Sequence, residues 1–508
     1  MSRHPCHRRL RNAFCWPCYL ANMAASPCKK MLVALAIVTA AVGCGDNRSS
    51  SDAGAADADS RDILIRLQAL PGLVVDEMPT EVPGYRAFRL GFDQPVNHGN
   101  PGQRFVQHAT LLHRDTTSPL IVATTGYWDY IRDRRVELTR LVGGNQISIE
   151  HRFFNESRPD PADWTQLTVR NAAADEHQVI AVLRTIYVGK IATTGASKGG
   201  MTAIYHRRFY PDDVDASFPY VAPQSISDQD PRYMQFLTTV GPVACRNALR
   251  DLQVELLSRR RAMLQQRASE QASQMGLQYS RITLPAAVEA SVAALDFAFW
   301  QYRGVADCNR IPATNASDDA VWQFLDQIAP VTDNGDESTA AFEAYYYQAA
   351  FELGQPTVQA AHLTGLYQFS DADYVGLLPL GVAAPRYQTS AMQDIGQWFQ
   401  QSAQRMMLIY GQWDPWTAGA FTLGSAQDSF RFTQPQGTHG ANLLGLDPSD
   451  RATAAAKIGQ WLGVTPVALT AMTKGEAAMQ PLRVPSAIVH GWRLAAAHRS
   501  ELDPVLEN

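Results

Sequence analysis

The chain has 508 residues, of which 46% are apolar and 18% charged, with a formal net charge of −5. That is enough apolar chain for a large core, with room for a main domain and an inserted one. The charge balance excludes a nucleic-acid partner held by basic patches. No internal repeat, no metal signature such as H-E-x-x-H, and no motif that calls for a cofactor stands in the sequence.

The N-terminus reads as a targeting segment and is set aside from the fold. Lys29 and Lys30 precede an apolar run, Met31 to Val42, that is too short to span a bilayer comfortably. The run ends Ala41-Val42-Gly43-Cys44, and small residues before a Cys resemble a bacterial lipoprotein signal, in which that Cys is lipidated. Ala41 stands where such signals usually carry Leu, so simple secretion is the alternative. The long basic, Cys-rich stretch upstream makes Met23 an alternative start. Residues 1–44 are therefore assigned as a signal segment, with membrane contact only through a lipid on Cys44. Residues 45–61, small, polar and acidic, form a tether without a hydrophobic face. The expected location is outside the cytoplasm, in the cell envelope or secreted.

The first part of the mature chain reads as strands. Tyr85 to Leu90 alternates, as does Phe105 to Leu112, which suggests an antiparallel entry to a sheet. Pro119 to Gly126 is continuously apolar, as a strand covered on both faces should be, and Asn145 to Glu150 reads as another. Asp163 with Gln166 resembles a helix start, and the helix would run on through Leu167, Ala173, Val179 and Leu183.

The run Ile186 to Tyr205 reads as a strand, a tight glycine turn and a helix. Gly195-Ala196-Ser197-Lys198-Gly199 fits the G-x-S-x-G nucleophile elbow, in which a strained turn projects the Ser hydroxyl from the top of a sheet. Ala216 to Ala222 is a further buried strand. Strands alternating with helices predict a mostly parallel α/β sheet.

From about Asp230 to Thr389 the pattern turns helical: Leu249 to Gln278, Ala286 to Tyr302, Ser317 to Ile328 and Ala340 to Leu353. The expectation is a helical lid, residues 230–389, inserted into an α/β-hydrolase domain made of 62–229 and 390–508. Strands resume at Met406 to Tyr410 and Ser429 to Phe432. Asp414 follows the first and His439 the second, so the order is Ser, Asp, His, as in α/β-hydrolases. Ser197 would attack a carbonyl, His439 would take and return the proton, and Asp414 would hold the imidazole. The Lys198 backbone N–H would be one oxyanion donor, and the N–H of Tyr127 or Trp128 the other. The Lys198 side chain is expected to be structural, because a Ser-Lys dyad needs a separate Lys facing the Ser. His151, His177 and His206 are rival bases; His206 is expected on a helix surface and His177 in helix packing.

After Cys44 only Cys245 and Cys308 remain. In an oxidising compartment two cysteines suggest one disulfide, tying the ends of a helical segment; two buried thiols are the alternative.

Ile149 to Pro159, with Glu150-His151-Arg152-Phe153-Phe154, is similar to the E-H-R-[FY]-[FY]-x-x-S-x-P segment of secreted serine exopeptidases, the prolyl carboxypeptidase and dipeptidyl-peptidase 7 group and the PS-10 (S37) family. Gly195 to Thr202, Tyr205 to Phe209, Trp164 to His177 and Tyr220 to Pro223 resemble the PS-10 version specifically. The resemblance implies hydrolysis of peptides from a free N-terminus with release of tripeptides and a preference for Pro. An esterase or lipase-like hydrolase, or a non-catalytic surface lipoprotein on this scaffold, are the alternatives. An exopeptidase needs a carboxylate for the substrate ammonium. Glu150 or Glu352 could supply it; otherwise Glu150 pairs with Arg152 or Arg158 and Glu352 ends a helix. Tyr345 to Tyr347, Trp413 and Trp416 would line a pocket for a Pro ring or simply fill the core.

Overall fold

The computed structural model describes residues 62–469, apart from 133 and 357–359. The apolar run Met31 to Val42, Cys44 and the tether lie outside the described residues.

Nine strands form one sheet: β1 (Leu73–Met78), β2 (Arg86–Pro95), β3 (Arg104–His113), β4 (Leu120–Thr124), β5 (Asn145–Ile149), β6 (Ile191–Ala196), β7 (Ala216–Tyr220), β8 (Met407–Gly411) and β9 (Phe430–Gln434). Their spatial order is β1-β2-β3-β5-β4-β6-β7-β8-β9. The first three pairings are antiparallel and all those from β5 to β9 are parallel. Every residue of β4, β5, β6, β7 and β8 is buried, which is why β4, β6, β7 and β8 read as unbroken apolar or small-residue runs, while β5 buries polar side chains on hydrogen bonds, Gln146 Oε1 accepting from Val136 N–H and Thr139 Oγ1. This is the topology of an α/β-hydrolase.

Thirteen helices accompany the sheet among the described residues: α1 (Ile63–Gln68), α2 (Glu137–Val142), α3 (Val169–Leu183), α4 (Lys198–Phe209), α5 (Arg232–Leu237), α6 (Val243–Ser258), α7 (Arg261–Met275), α8 (Leu284–Ala293), α9 (Leu295–Tyr302), α10 (Asp318–Ile328), α11 (Asp336–Gln348), α12 (Thr389–Ser402) and α13 (Pro448–Leu462). Helices α5 to α11 lie between β7 and β8, where no strand of the sheet intervenes. Their apolar faces join the same cluster as Ile121, Ala192 and Phe218 of the sheet. The other side is covered in part by α4 and α12, where Met201 and Ile204 meet Met392, Ile395 and Phe399.

Three expected helices are divided; that expected over Ala286 to Tyr302 parts at Ala294 into α8 and α9. The stretch from Leu249 breaks at Arg259-Arg260, whose guanidiniums both bind Glu255. The helix expected from Asp163 is a short 3-10 turn, Trp164–Gln166, capped by Asp163; α3 then starts anew because the Thr168 side chain accepts from Asn171 N. Cys245, on α6, is joined to Cys308 just after α9, across 63 residues of sequence.

Candidate active site

Ser197 sits between β6 and α4 with φ 55° and ψ −123°, a left-handed conformation that costs a non-glycine residue about 1–3 kcal/mol. The chain is held there by Ser197 N–H donating to Tyr220 O at 2.9 Å and by Met201 N–H donating to Ser197 O at 2.9 Å. The glycines around it are required by contact. A Cβ on Gly195 would lie 2.5 Å from the backbone of Gly199, and one on Gly199 would lie 2.2 Å from Thr124 O. Either would push α4 off the sheet.

Asp414 leaves the carboxyl end of β8 and His439 the loop after β9. One Asp414 oxygen accepts Trp416 N–H at 3.1 Å, and the other meets His439 Nδ1 at 2.7 Å. Both residues are essentially sealed, at 0% and 1% exposure. The two loops are fastened by Trp413 N–H donating to Gly437 O at 2.8 Å. Gly411 permits that approach, since a Cβ there would lie 2.3 Å from Thr438 O. With Asp414 ionised the ring proton resides on Nδ1, which leaves the Nε2 lone pair for a hydroxyl proton. Strands β6, β8 and β9 are parallel, so all three loops open at one edge of the sheet. Among the described residues no hydrogen bond joins Ser197 to His439; such contacts commonly tighten only with substrate in place.

The loop after β4 packs against the start of α4. Gly126 has φ +75°, and a Cβ there would lie 2.5 Å from Gly199 N. Lys198 Nζ donates to Gly126 O at 2.6 Å. Its amine lies 5.6 Å from the Tyr127 ring centre and 5.3 Å from that of Phe154, and burial pushes its pKa well below the usual lysine range. Tyr127 N–H is partly engaged, donating to Thr125 Oγ1 at 3.3 Å. The backbone N–H of Trp128 has no partner among the described residues, nor has that of Lys198 at the helix start, where the dipole favours negative charge. These are the donors available to an oxyanion.

The four other expected substrate contacts divide. Glu150 is consumed in its own turn: it accepts from Ser157 N and Oγ at 3.1 and 2.8 Å, and from Asn155 Nδ2 and Asp129 N at 3.3 Å. Neither alternative arginine pairs with it; Arg152 binds Asp175 and Arg158 binds Glu343. Glu352, on the turn that ends α11, accepts Val169 N–H at the start of α3 at 2.6 Å, and burial pushes its carboxyl up to about 7. Trp416 lies beside His439, ring centres 6.3 Å apart, with its indole N–H buried and unpartnered among the described residues. Trp413 is half-buried against Trp300. Tyr345 packs on Tyr127, and Tyr347 on Trp164, so those rings fill the core.

The rival histidines are all occupied, though not as expected. His206 is fully buried, not on a surface, and binds Asp213; His177 is half-buried, sharing that carboxylate and stacking on Tyr210. His151 is buried against Tyr205, and burial drives its pKa well down. Two contacts carried no sequence signal. His439 N–H donates to Gln301 O at 2.8 Å, and the Tyr302 ring stands edge-on to the imidazole at 6.3 Å, so α9 of the insertion grips the histidine.

The fold and this constellation define a serine hydrolase of the α/β-hydrolase class. The chain belongs to the PS-10 peptidase S37 family, which it matches over residues 56–490, and is a serine peptidase. A prolyl tri/tetrapeptidyl aminopeptidase of Streptomyces mobaraensis is 38% identical over 465 residues, spanning 89% of this chain and 95% of that protein. Among solved structures, a peroxisomal alpha-beta-hydrolase of Saccharomyces cerevisiae is 12% identical, covering 78% of this chain and 94% of its own, with a TM-score of 0.35. Carboxyl esterase 2 of Tuber melanosporum is 8% identical, covering 76% and 88%, with a TM-score of 0.32.

Proposed function

We propose that this chain is an exported serine exopeptidase that removes tri- or tetrapeptides from a free N-terminus, favouring proline before the cleaved bond. Ser197 is the nucleophile, His439 the general base and then acid, and Asp414 the group that fixes the imidazole tautomer. The observation that carries the reading is the sealed 2.7 Å contact of Asp414 with His439 Nδ1, on loops that open beside a strained Ser197.

In the first half-reaction the Ser197 hydroxyl oxygen bonds to the scissile carbonyl carbon while its proton passes to His439 Nε2. The negative oxygen is met by the Lys198 N–H and by the Trp128 or Tyr127 N–H. Collapse expels the amine, protonated by His439, and leaves an acyl-enzyme that water hydrolyses by the reverse proton path. Removing one oxyanion donor from such a site costs about a hundredfold or more in rate. The Trp416 indole N–H can donate to a substrate carbonyl. Glu352, with only one oxygen bonded to protein, is the stronger candidate for the substrate ammonium, since Glu150 has both of its own occupied. Export is supported by Lys29, Lys30, the apolar run and Cys44, which would carry the lipid.

The test has two arms. Ser197→Ala should abolish labelling by a fluorophosphonate probe, and unchanged labelling would refute the nucleophile. N-acetylation of a proline-containing peptide should suppress cleavage strongly. Equal rates on blocked and free peptides would indicate an endopeptidase, and preference for simple acyl esters an esterase.

A further inference from the structure

Glu137 takes no part in the chemistry above, yet it is a carboxylate with 0% exposure. It opens α2, and its side chain accepts three hydrogen bonds. Tyr220 OH donates at 2.9 Å, Leu443 N–H at 3.1 Å and Leu444 N–H at 3.4 Å. The two backbone donors lie on the loop after β9 that carries His439. The phenol belongs to the last residue of β7, whose own carbonyl accepts Ser197 N–H at 2.9 Å. One buried carboxylate thus reaches, at one remove, both the backbone of the nucleophile and the loop of the base.

Burial pushes the Glu137 carboxyl up to about 7, against the three hydrogen bonds and the charge of Arg140, which pull it down. An apolar side chain of similar volume would often serve stability as well or better. What the carboxylate supplies instead is direction: three donors from two elements converge on one group of fixed length. The loop has a separate anchor in Asn442 N–H, which donates to Gln434 Oε1 at 2.9 Å, so Glu137 is not alone in keeping it folded.

We propose that Glu137 is a positioning residue that sets the separation of Ser197 and His439 by tying the Tyr220 end of β7 to Leu443 and Leu444. The proposal rests on the reading of Ser197 as nucleophile and His439 as base. A shift of the imidazole by about 1 Å is enough to cost up to a hundredfold in rate. Loss of Glu137 would therefore register in kcat while substrate contacts elsewhere hold KM.

The experiment compares Glu137→Gln, Tyr220→Phe and the double variant in the full chain, with active sites counted by fluorophosphonate titration. Gln cannot accept at both side-chain ends, and Phe deletes a single hydroxyl. The expected result is a fall of about tenfold in kcat per titrated site for each single variant, with KM within about twofold. The double variant should be no worse than the poorer single, since both break one link. A lower melting temperature with wild-type kcat per titrated site would overturn the proposal, because a purely structural role predicts that result. If Glu137→Gln does not fold, Tyr220→Phe alone decides in the same terms. Retained turnover in Ser197→Ala or His439→Ala would instead sink the triad reading, whatever the Glu137 variants do.

Discussion

Lys198 Nζ donates to the carbonyl oxygen of Gly126 at 2.6 Å, so the residue after Ser197 holds the loop that faces it. A peptide unit is planar, and fixing the Gly126 oxygen fixes the direction of the Tyr127 N–H and the path into Trp128. The amine works as a clamp, not as a base; burial, which pushes its pKa well down, leaves it a donor either way. Lys198→Met keeps the apolar stem and removes the donor. We expect kcat to fall by about tenfold to a hundredfold with KM little changed, measured per titrated active site. A kcat equal to wild type would show that the loop holds its shape without the clamp.

Glu352 brings a pH dependence whose sign follows from its environment. Its folded pKa is raised from 4.5 to about 7, chiefly by burial. In that window the folded state holds a proton that the unfolded state has lost, so stability is greatest below 4.5 and declines as pH rises through about 7. Substrate binding should run the other way, because an ammonium is attracted only to the ionised carboxylate. We expect KM for free-amine peptides to fall as pH rises through about 7, with that dependence lost in Glu352→Gln and absent for N-acetylated peptides. A KM profile identical in the variant would remove Glu352 from substrate recognition.

The parts legible in the sequence are those whose causes are local. Strands such as Leu120–Thr124 are short apolar runs because both faces are covered, and the elbow shows its glycines because no Cβ fits there. Edge strand Leu73–Met78 escaped because only Val75 is fully buried, so its pattern resembles a loop. The breaks in the insertion escaped because they depend on partners: Glu255 gathers Arg259 and Arg260, and Thr168 caps a helix that periodicity would start earlier. Glu137 and Gln301 were invisible for a stronger reason. Their partners lie 83 and more residues away for the first, and on a different loop for the second, so no spacing rule reaches them.

The Cys245–Cys308 bond closes a long loop around α6 to α9, and α9 presents Gln301 and Tyr302 to His439. Loop-closure entropy for a span of 63 residues corresponds to about 4 kcal/mol in the chain-entropy account. Reduction should therefore lower the melting temperature and, through α9, reduce activity before global unfolding. Neither thiol should alkylate until reductant is added. Rapid alkylation of the untreated protein would discard the bond, and full activity after reduction would discard the link to the histidine.

Asp414→Asn separates tautomer control from folding. Asn can still accept Trp416 N–H through its carbonyl oxygen, so the cap on the following turn survives. Its amide would then face His439 Nδ1 with N–H groups where a carboxylate stood. An amide donor there places the imidazole proton on Nε2, the atom that must receive the Ser197 proton. The ring keeps its place and loses its basic lone pair. We expect kcat to drop by about ten-thousandfold near neutral pH with KM and melting temperature close to wild type. Recovery of rate at high pH would follow if hydroxide can do what the imidazole no longer does. A variant with near-normal kcat at neutral pH would mean that the 2.7 Å contact between Asp414 and His439 is not what makes Ser197 reactive.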